Sequence, residues 1–279
     1  MLKLVILIIY FAVLIGIGLY CRKHATDVNG FVLGGRSVGP WLTAFAYGTS
    51  YFSAVVFVGY AGQFGWKYGI AATWAGIGNA IIGSLLAWVV LGRRTRIMSQ
   101  HLDSATMPQY FGKRFGSNPL KIGASVIIFI FLIPYTASLY NGLSRLFGMA
   151  FNIDYSVCII IMATLTAIYV IAGGYMATAI NDFIQGIIML FGIVAVIAAV
   201  IHSKGGFMSA LQGLANVSDP AVSDTPGIFA SFFGPDPFNL LCVVILTSLG
   251  TWGLPQMVQK FYAIDNEASI QTVSYTHLR

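Results

Sequence analysis

The chain has 279 residues, 57% hydrophobic and 9% charged, with a formal net charge of +6 and a mean hydropathy of +0.81. A soluble domain normally carries about a quarter charged residues. The composition therefore excludes a soluble globular protein and reads as an integral membrane protein, with the lipid bilayer as its first partner.

Seven apolar segments reach the ~20 residues that a membrane span needs: 2–20, 41–62, 70–91, 122–150, 155–172, 179–201 and 238–262. The first has only Lys3 ahead of it and no small-residue cleavage site before a polar mature region, so it reads as a retained helix rather than a signal peptide. The second follows a basic, glycine-rich approach, and residues 33–53 read LGGRSVGPWLTAFAYGTSYFS. Gly48, Thr49, Ser50 and Ser53 fall in the middle of this apolar run. Hydrocarbon offers no water to repair a broken backbone, so a glycine–hydroxyl cluster at that depth faces either a cavity or a closely packed helix. Its hydroxyl oxygens suit a hard cation or the polar atoms of a solute.

After the third segment comes a basic linker, 92–121, with Arg93, Arg94, Arg96, Lys113 and Arg114. Within it, residues 107–116 (MPQYFGKRFG) are amphipathic and basic, as expected of a short helix along the inner membrane surface. In the fourth segment Pro134 is expected to kink the helix. Tyr135, Thr136, Ser138, Tyr140 and Asn141 follow it, either lining a cavity or facing the outer interface. Asp182 is the one carboxylate touching an apolar segment, at the start of the sixth; it marks an ion pathway or caps the helix. The proline-rich linker 202–237 precedes the seventh segment, which is interrupted by GTWGLPQ at 250–256.

The basic clusters fall on one side when the N-terminus is outside, which is the expected orientation. Interrupted helices at the second and seventh positions suit an inverted repeat whose equivalent first helices are both discontinuous. Cys21, Cys158 and Cys242 lack metal-ligand spacing, and the four histidines are scattered through loops and tail. Neither a metal cluster nor a nucleophilic triad has support, and no phosphate-binding loop is present, so the chain does not read as an enzyme. No cofactor and no nucleic-acid partner is expected.

Five blocks together resemble the sodium:solute symporter family, whose members include sodium/proline, pantothenate, sugar and sialic acid transporters. They are LGGRSVGP at 33–40, GTSYFSA at 48–54, TMPQYFGKRF at 106–115, AGGYMATAINDFIQ at 172–185 and LPQMVQKFYA at 254–263. The resemblance implies an all-α membrane protein with the five-plus-five inverted-repeat transporter fold and one extra N-terminal helix, here ending after about seven transmembrane helices. On that mapping the second and seventh segments are the first and sixth core helices. It places sodium, the coupling ion, at the carbonyls of Thr49 and Phe52, and it associates Asp182 with sodium passage. It assigns solute contact to Ser53, Val55, Tyr135, Thr251 and Pro255.

Sodium/proline members read GASDMSGW at the first break, whereas this chain reads GTSYFSAV. Tyr51 stands for their aspartate and Val55 for their tryptophan, and Thr247 and Thr251 stand where proline-type members carry aromatic side chains. These departures point away from aspartate-assisted sodium binding and from a proline-like solute. The family runs to roughly twelve or thirteen helices, so the chain is expected to be an N-terminal part, with residues 273–279 foreign to it. The implied activity is sodium-coupled symport of a small organic solute (amino acid, carboxylate, vitamin or sugar) across the cell membrane by alternating access. The alternative is a symporter-like sensory input module of a membrane signalling protein.

Overall fold

In the computed structural model the described residues are 2–52, 60–219 and 221–276. Among them the chain is helical with no strand; the only extended pairings are the isolated bridges Val38–Ile264 and Asp219–Ser223. Helix α1 (Leu2–Cys21) is apolar on all sides. Helix α2 (Val28–Leu33) is capped by Asp27, whose carboxylate accepts from the Gly30 N–H at 3.1 Å. The chain then passes through left-handed Gly34, Gly35 and Arg36 before Pro40 starts α3 (Pro40–Tyr51).

Helix α3 stops at Phe52, whose φ and ψ of −89° and 59° leave the helical region. The expected second segment, 41–62, is therefore interrupted where its glycine–hydroxyl cluster lies; residues 53–59 fall outside the described residues. Helix α4 (Ala61–Tyr68), α5 (Thr73–Gly78), π-helical turns at Asn79–Leu86 and Trp88–Gly92, and α6 (Arg93–His101) follow. Together they form a 41-residue run, Ala61–His101, which extends the expected third segment at both ends.

Helix α7 (Met107–Phe115) forms within the basic linker where a short helix was expected. Thr106 accepts from the Gln109 N–H and Gln109 accepts from the Ala105 N–H, a reciprocal cap, while left-handed Gly116 ends the helix. Its apolar face also leans on the protein, since Tyr110 stacks on Tyr262 with ring centroids 6.0 Å apart.

Helix α8 (Asn118–Phe151) remains one helix through Pro134. Ser138 donates to the Tyr135 carbonyl, and Asn141 accepts from Arg145 and Tyr155, so part of the polar stretch after the proline is satisfied locally. The expected fifth and sixth segments are two arms of one 49-residue run, α9 (Tyr155–Ser203), broken at Gly174 with φ 56° and ψ −149°. Straight, such a run would measure about 70 Å, more than twice the ~30 Å hydrocarbon core. The bend brings Tyr169 and Asp182 within electrostatic reach of each other.

Helix α10 (Phe207–Ala215) precedes α11 (Pro237–Gly250) and α12 (Pro255–Ala263), which are bent by 52° across the break. Helix α13 (Glu267–Thr276) follows, and of the expected foreign tail its Val273 is buried in the core. Three helical runs (Ala61–His101, Asn118–Phe151 and Tyr155–Ser203) are long and apolar enough to span a membrane, and the bent pair makes a fourth as one span. Of the expected seven segments, the second is interrupted at the end of α3, and the fifth and sixth form the two arms of α9.

The core lies where α3 and α12 meet. One cluster joins Tyr47, Tyr51, Trp88, Met257, Phe261 and Ile264; another joins Leu33, Val38, Ala46, Tyr175, Val258 and Tyr262. By contrast, Phe129 and Phe131 on α8 are each 70% exposed, as befits side chains turned to lipid.

Candidate functional site

The approach to the second segment and the exit from the seventh are tied together. The Val38 N–H donates to the Ala263 carbonyl at 3.3 Å, and the Asp265 N–H donates to the Val38 carbonyl at 3.1 Å. Arg36 reinforces the joint by donating to the Ser99 hydroxyl, the Ser99 and Ser104 carbonyls and the Tyr262 carbonyl, at 2.8–3.2 Å. Burial, with Arg96 nearby, pulls its guanidinium below the ordinary value, and the carbonyls receive the charge. Arg96 holds the next turn through the Ile264 and Asp265 carbonyls at 2.6 and 3.0 Å. Gln259 donates to the Val32 carbonyl. The approach to α3 and the exit from α12 thus form one joint.

From this joint the two helices rise to their breaks, which border a cavity of about 810 Å³. Its lining includes Phe52, Tyr60, Phe64, Tyr135, Thr251 and Met257, and no described lining residue is charged. A polar network occupies one side. Tyr51 donates to Asn79 Oδ1 at 2.5 Å and lies 3.3 Å from the Thr247 carbonyl. Asn79 donates to Thr247 Oγ1 at 3.0 Å and to the Ala75 carbonyl at 2.7 Å. Thr251 Oγ1 lies 3.2 Å from the Tyr51 hydroxyl and 2.8 Å from the Ser248 carbonyl. Three elements, α3, the third run and the broken α11–α12 pair, are thereby joined through neutral groups.

The π-helical turns supply further acceptors, because widening a helix shifts carbonyls off the usual ladder. Ile82 accepts from the Trp252 indole at 3.0 Å, and Gly83 accepts from the Tyr47 hydroxyl at 3.1 Å. A side chain at Gly83 would collide with the Tyr51 hydroxyl, so glycine is what lets the phenol reach Asn79.

Of the residues expected from the sequence, Phe52, Tyr135 and Thr251 line this cavity, as does Thr247. Ser53 and Val55 lie outside the described residues. Pro255 lines neighbouring grooves beside α7 and α8, because its role is to start α12 after the bend. The Thr49 hydroxyl proton is directed back to its own helix, with the Phe45 and Ala46 carbonyls at 2.8 and 3.4 Å. Its carbonyl belongs to the last turn of α3, where helix geometry provides no intrahelical partner.

Asp182 does not cap a helix, since it lies inside the second arm of α9, past the first turn after Gly174. Its Oδ2 instead sits 3.6 Å from the Lys260 Nζ on α12. Asn79 and Lys260 were both readable as oddities, an amide alone in the third segment and a cation near the end of the seventh. Their partners were not readable, because Tyr51 and Asp182 are distant in sequence.

Residues 31–278 match the profile of the sodium:solute symporter family. The osmoregulated proline transporter OpuE of Bacillus subtilis (strain 168) is 31% identical over 259 residues, 92% of this chain and 51% of that protein. The sodium/proline symporter of Staphylococcus aureus (strain JH9) is 32% identical over 274 residues, 93% of this chain and 49% of that protein. The chain thus spans about half the length of the curated relatives it matches. With its two interrupted helices joined below an uncharged cavity, and with a profile match across nearly all of its length, the chain belongs to the sodium:solute symporter family.

Proposed function

We propose that the protein carrying this chain couples sodium movement to symport of a small organic solute across the cell membrane by alternating access. The observation that supports this best is the pair of interrupted helices bordering one cavity and bridged by the Tyr51–Asn79–Thr247–Thr251 network. Ends of broken helices carry unpaired backbone dipoles, which is what a cation or a polar solute needs in a dry interior.

In this reading the carbonyls of Thr49 and Phe52 hold sodium, and Asp182 lies on its passage. Phe52 and Tyr135 provide aromatic walls, while Ser53, Val55 and Thr251 touch the solute, with Pro255 fixing the direction of α12. Solute and sodium would favour one arrangement of the two broken helices, and the exchange between arrangements exposes the cavity to either side. The five-plus-five repeat fold and an external N-terminus complete the proposal.

Two relatives are named for proline, so proline heads the solutes to be tested, followed by other amino acids, carboxylates, vitamins and sugars. Tyr51 and Val55, standing for the aspartate and tryptophan of sodium/proline members, argue for a solute other than proline. Uptake of labelled solutes into proteoliposomes, by the chain as given and by the complete reading frame that carries it, is the direct test. Accumulation is expected only under an inward sodium gradient, and equal accumulation with sodium replaced by choline would refute the coupling.

A further inference from the structure

Lysine is almost never fully buried unless paired, yet Lys260 is 6% exposed and lies on α12 within a core of Val258, Phe261 and Tyr262. Two groups receive its ammonium. Asp182 Oδ2 is 3.6 Å away, and the Tyr175 ring centroid is 5.0 Å away, within cation–π range. Asp182 in turn acts on the phenols of Tyr10, Tyr169 and Tyr175, and among the described residues Lys260 is the cation that faces it.

The pair joins two different parts of the molecule. Lys260 belongs to the inner arm of the broken α11–α12 pair, next to the joint held by Arg36 and Arg96. Asp182 belongs to the second arm of α9. Their separation therefore reports how α12 sits against α9. At 3.6 Å the contact is looser than a direct hydrogen bond, so the ammonium is held by charge more than by geometry.

We propose that Lys260 is a tethered counter-cation that competes with sodium for Asp182. This rests on the reading that Asp182 lies on the sodium passage. The physical reason is charge balance at a site where the Lys260 side chain is 7% and the Asp182 side chain 22% exposed. Carboxylate with ammonium is neutral; carboxylate alone leaves one negative charge, and carboxylate with both cations leaves one positive charge. Each unbalanced state is expensive in low dielectric. Sodium arriving at Asp182 therefore displaces the ammonium, and the returning ammonium helps expel sodium. Lys260 is a positioning residue in this scheme, and α12 moves with its ammonium.

The test is sodium binding measured with radioactive sodium on the purified complete reading frame, wild type against K260Q, K260R and D182N/K260Q. K260Q is expected to bind sodium at least tenfold more tightly and to transport with a lower sodium KM and a lower kcat. K260R is expected to match wild type, and the double variant to lose the tight binding. A folded K260Q whose sodium affinity is unchanged or weaker overturns the proposal. Amine footprinting of the wild-type protein by mass spectrometry reads the same exchange without a variant. Labelling of Lys260 should rise with sodium and not with potassium, and sodium-independent labelling overturns the competition. Wild type that binds no sodium sinks the sodium-coupled reading as well; wild type that binds sodium without either Lys260 effect sinks only the competition.

Discussion

The hydroxyl oxygens of Tyr51 and Thr251 lie 3.2 Å apart, so the last turn of α3 touches the break between α11 and α12 directly. Tyr51 donates a hydrogen bond to Asn79, which is anchored to Thr247. Removing the phenol oxygen strands the Asn79 carbonyl oxygen on a partly buried amide. Y51F is expected to destabilise the protein by about 1–3 kcal/mol, read as a lower midpoint of thermal unfolding in detergent. It should also weaken solute binding more than sodium binding. An unchanged midpoint with unchanged solute affinity would show the network to be idle.

Arg36 makes four donor contacts to three residues: Ser99 on α6, Ser104 in the loop after it and Tyr262 on α12. A lysine ammonium keeps the charge but cannot reproduce a planar fork of donors. R36K is therefore expected to lose about 1.5–3 kcal/mol, and R36A more. Recovery of wild-type stability by R36K would mean that charge alone holds the joint between Val38 and Ala263.

Gly174 adopts φ 56° and ψ −149°, and a side chain there would meet the Phe31 carbonyl oxygen at 2.8 Å. Such backbone is close to glycine-only territory, costing about 1–3 kcal/mol for other residues. G174A should lower stability by at least about 2 kcal/mol once the contact with Phe31 is added. Gly123 on α8 has open space around its Cβ position, so G123A is the matched control and should be neutral or mildly stabilising.

Orientation can be read by cysteine accessibility after Cys21, Cys158 and Cys242 have been replaced. Ser209 on α10 and Asn118 at the start of α8 are both exposed. With the N-terminus outside, S209C on intact cells reacts with an impermeant maleimide and N118C reacts only after the membrane is opened. The opposite pattern reverses the orientation.

Local chemistry made several features readable. The stop of α3 at Phe52 and the break at 250–255 follow from glycine, hydroxyl and proline placement. Helix α7 follows from its amphipathic pattern and its Thr106 and Gly116 caps. The turn of α9 falls in the gap between the segments 155–172 and 179–201, but which glycine makes it was not readable, because Gly173 and Gly174 look alike and only the latter takes the strained backbone. That the Thr49 hydroxyl donates back to its own helix was also not readable, because the sequence does not show where a hydroxyl proton points.

By itself the sequence determined the membrane class, the two interrupted helices and the family, because hydropathy, helix breaking and motif order act along the chain. Tertiary structure alone decided that Arg36 clasps Tyr262, that Tyr51 reaches Asn79 and Thr251, and that Asp182 faces Lys260 rather than a helix end. Each of these pairs joins residues distant in sequence. A polar group buried in an apolar protein must find a partner, but which partner it finds depends on how the helices pack, and no local pattern encodes that.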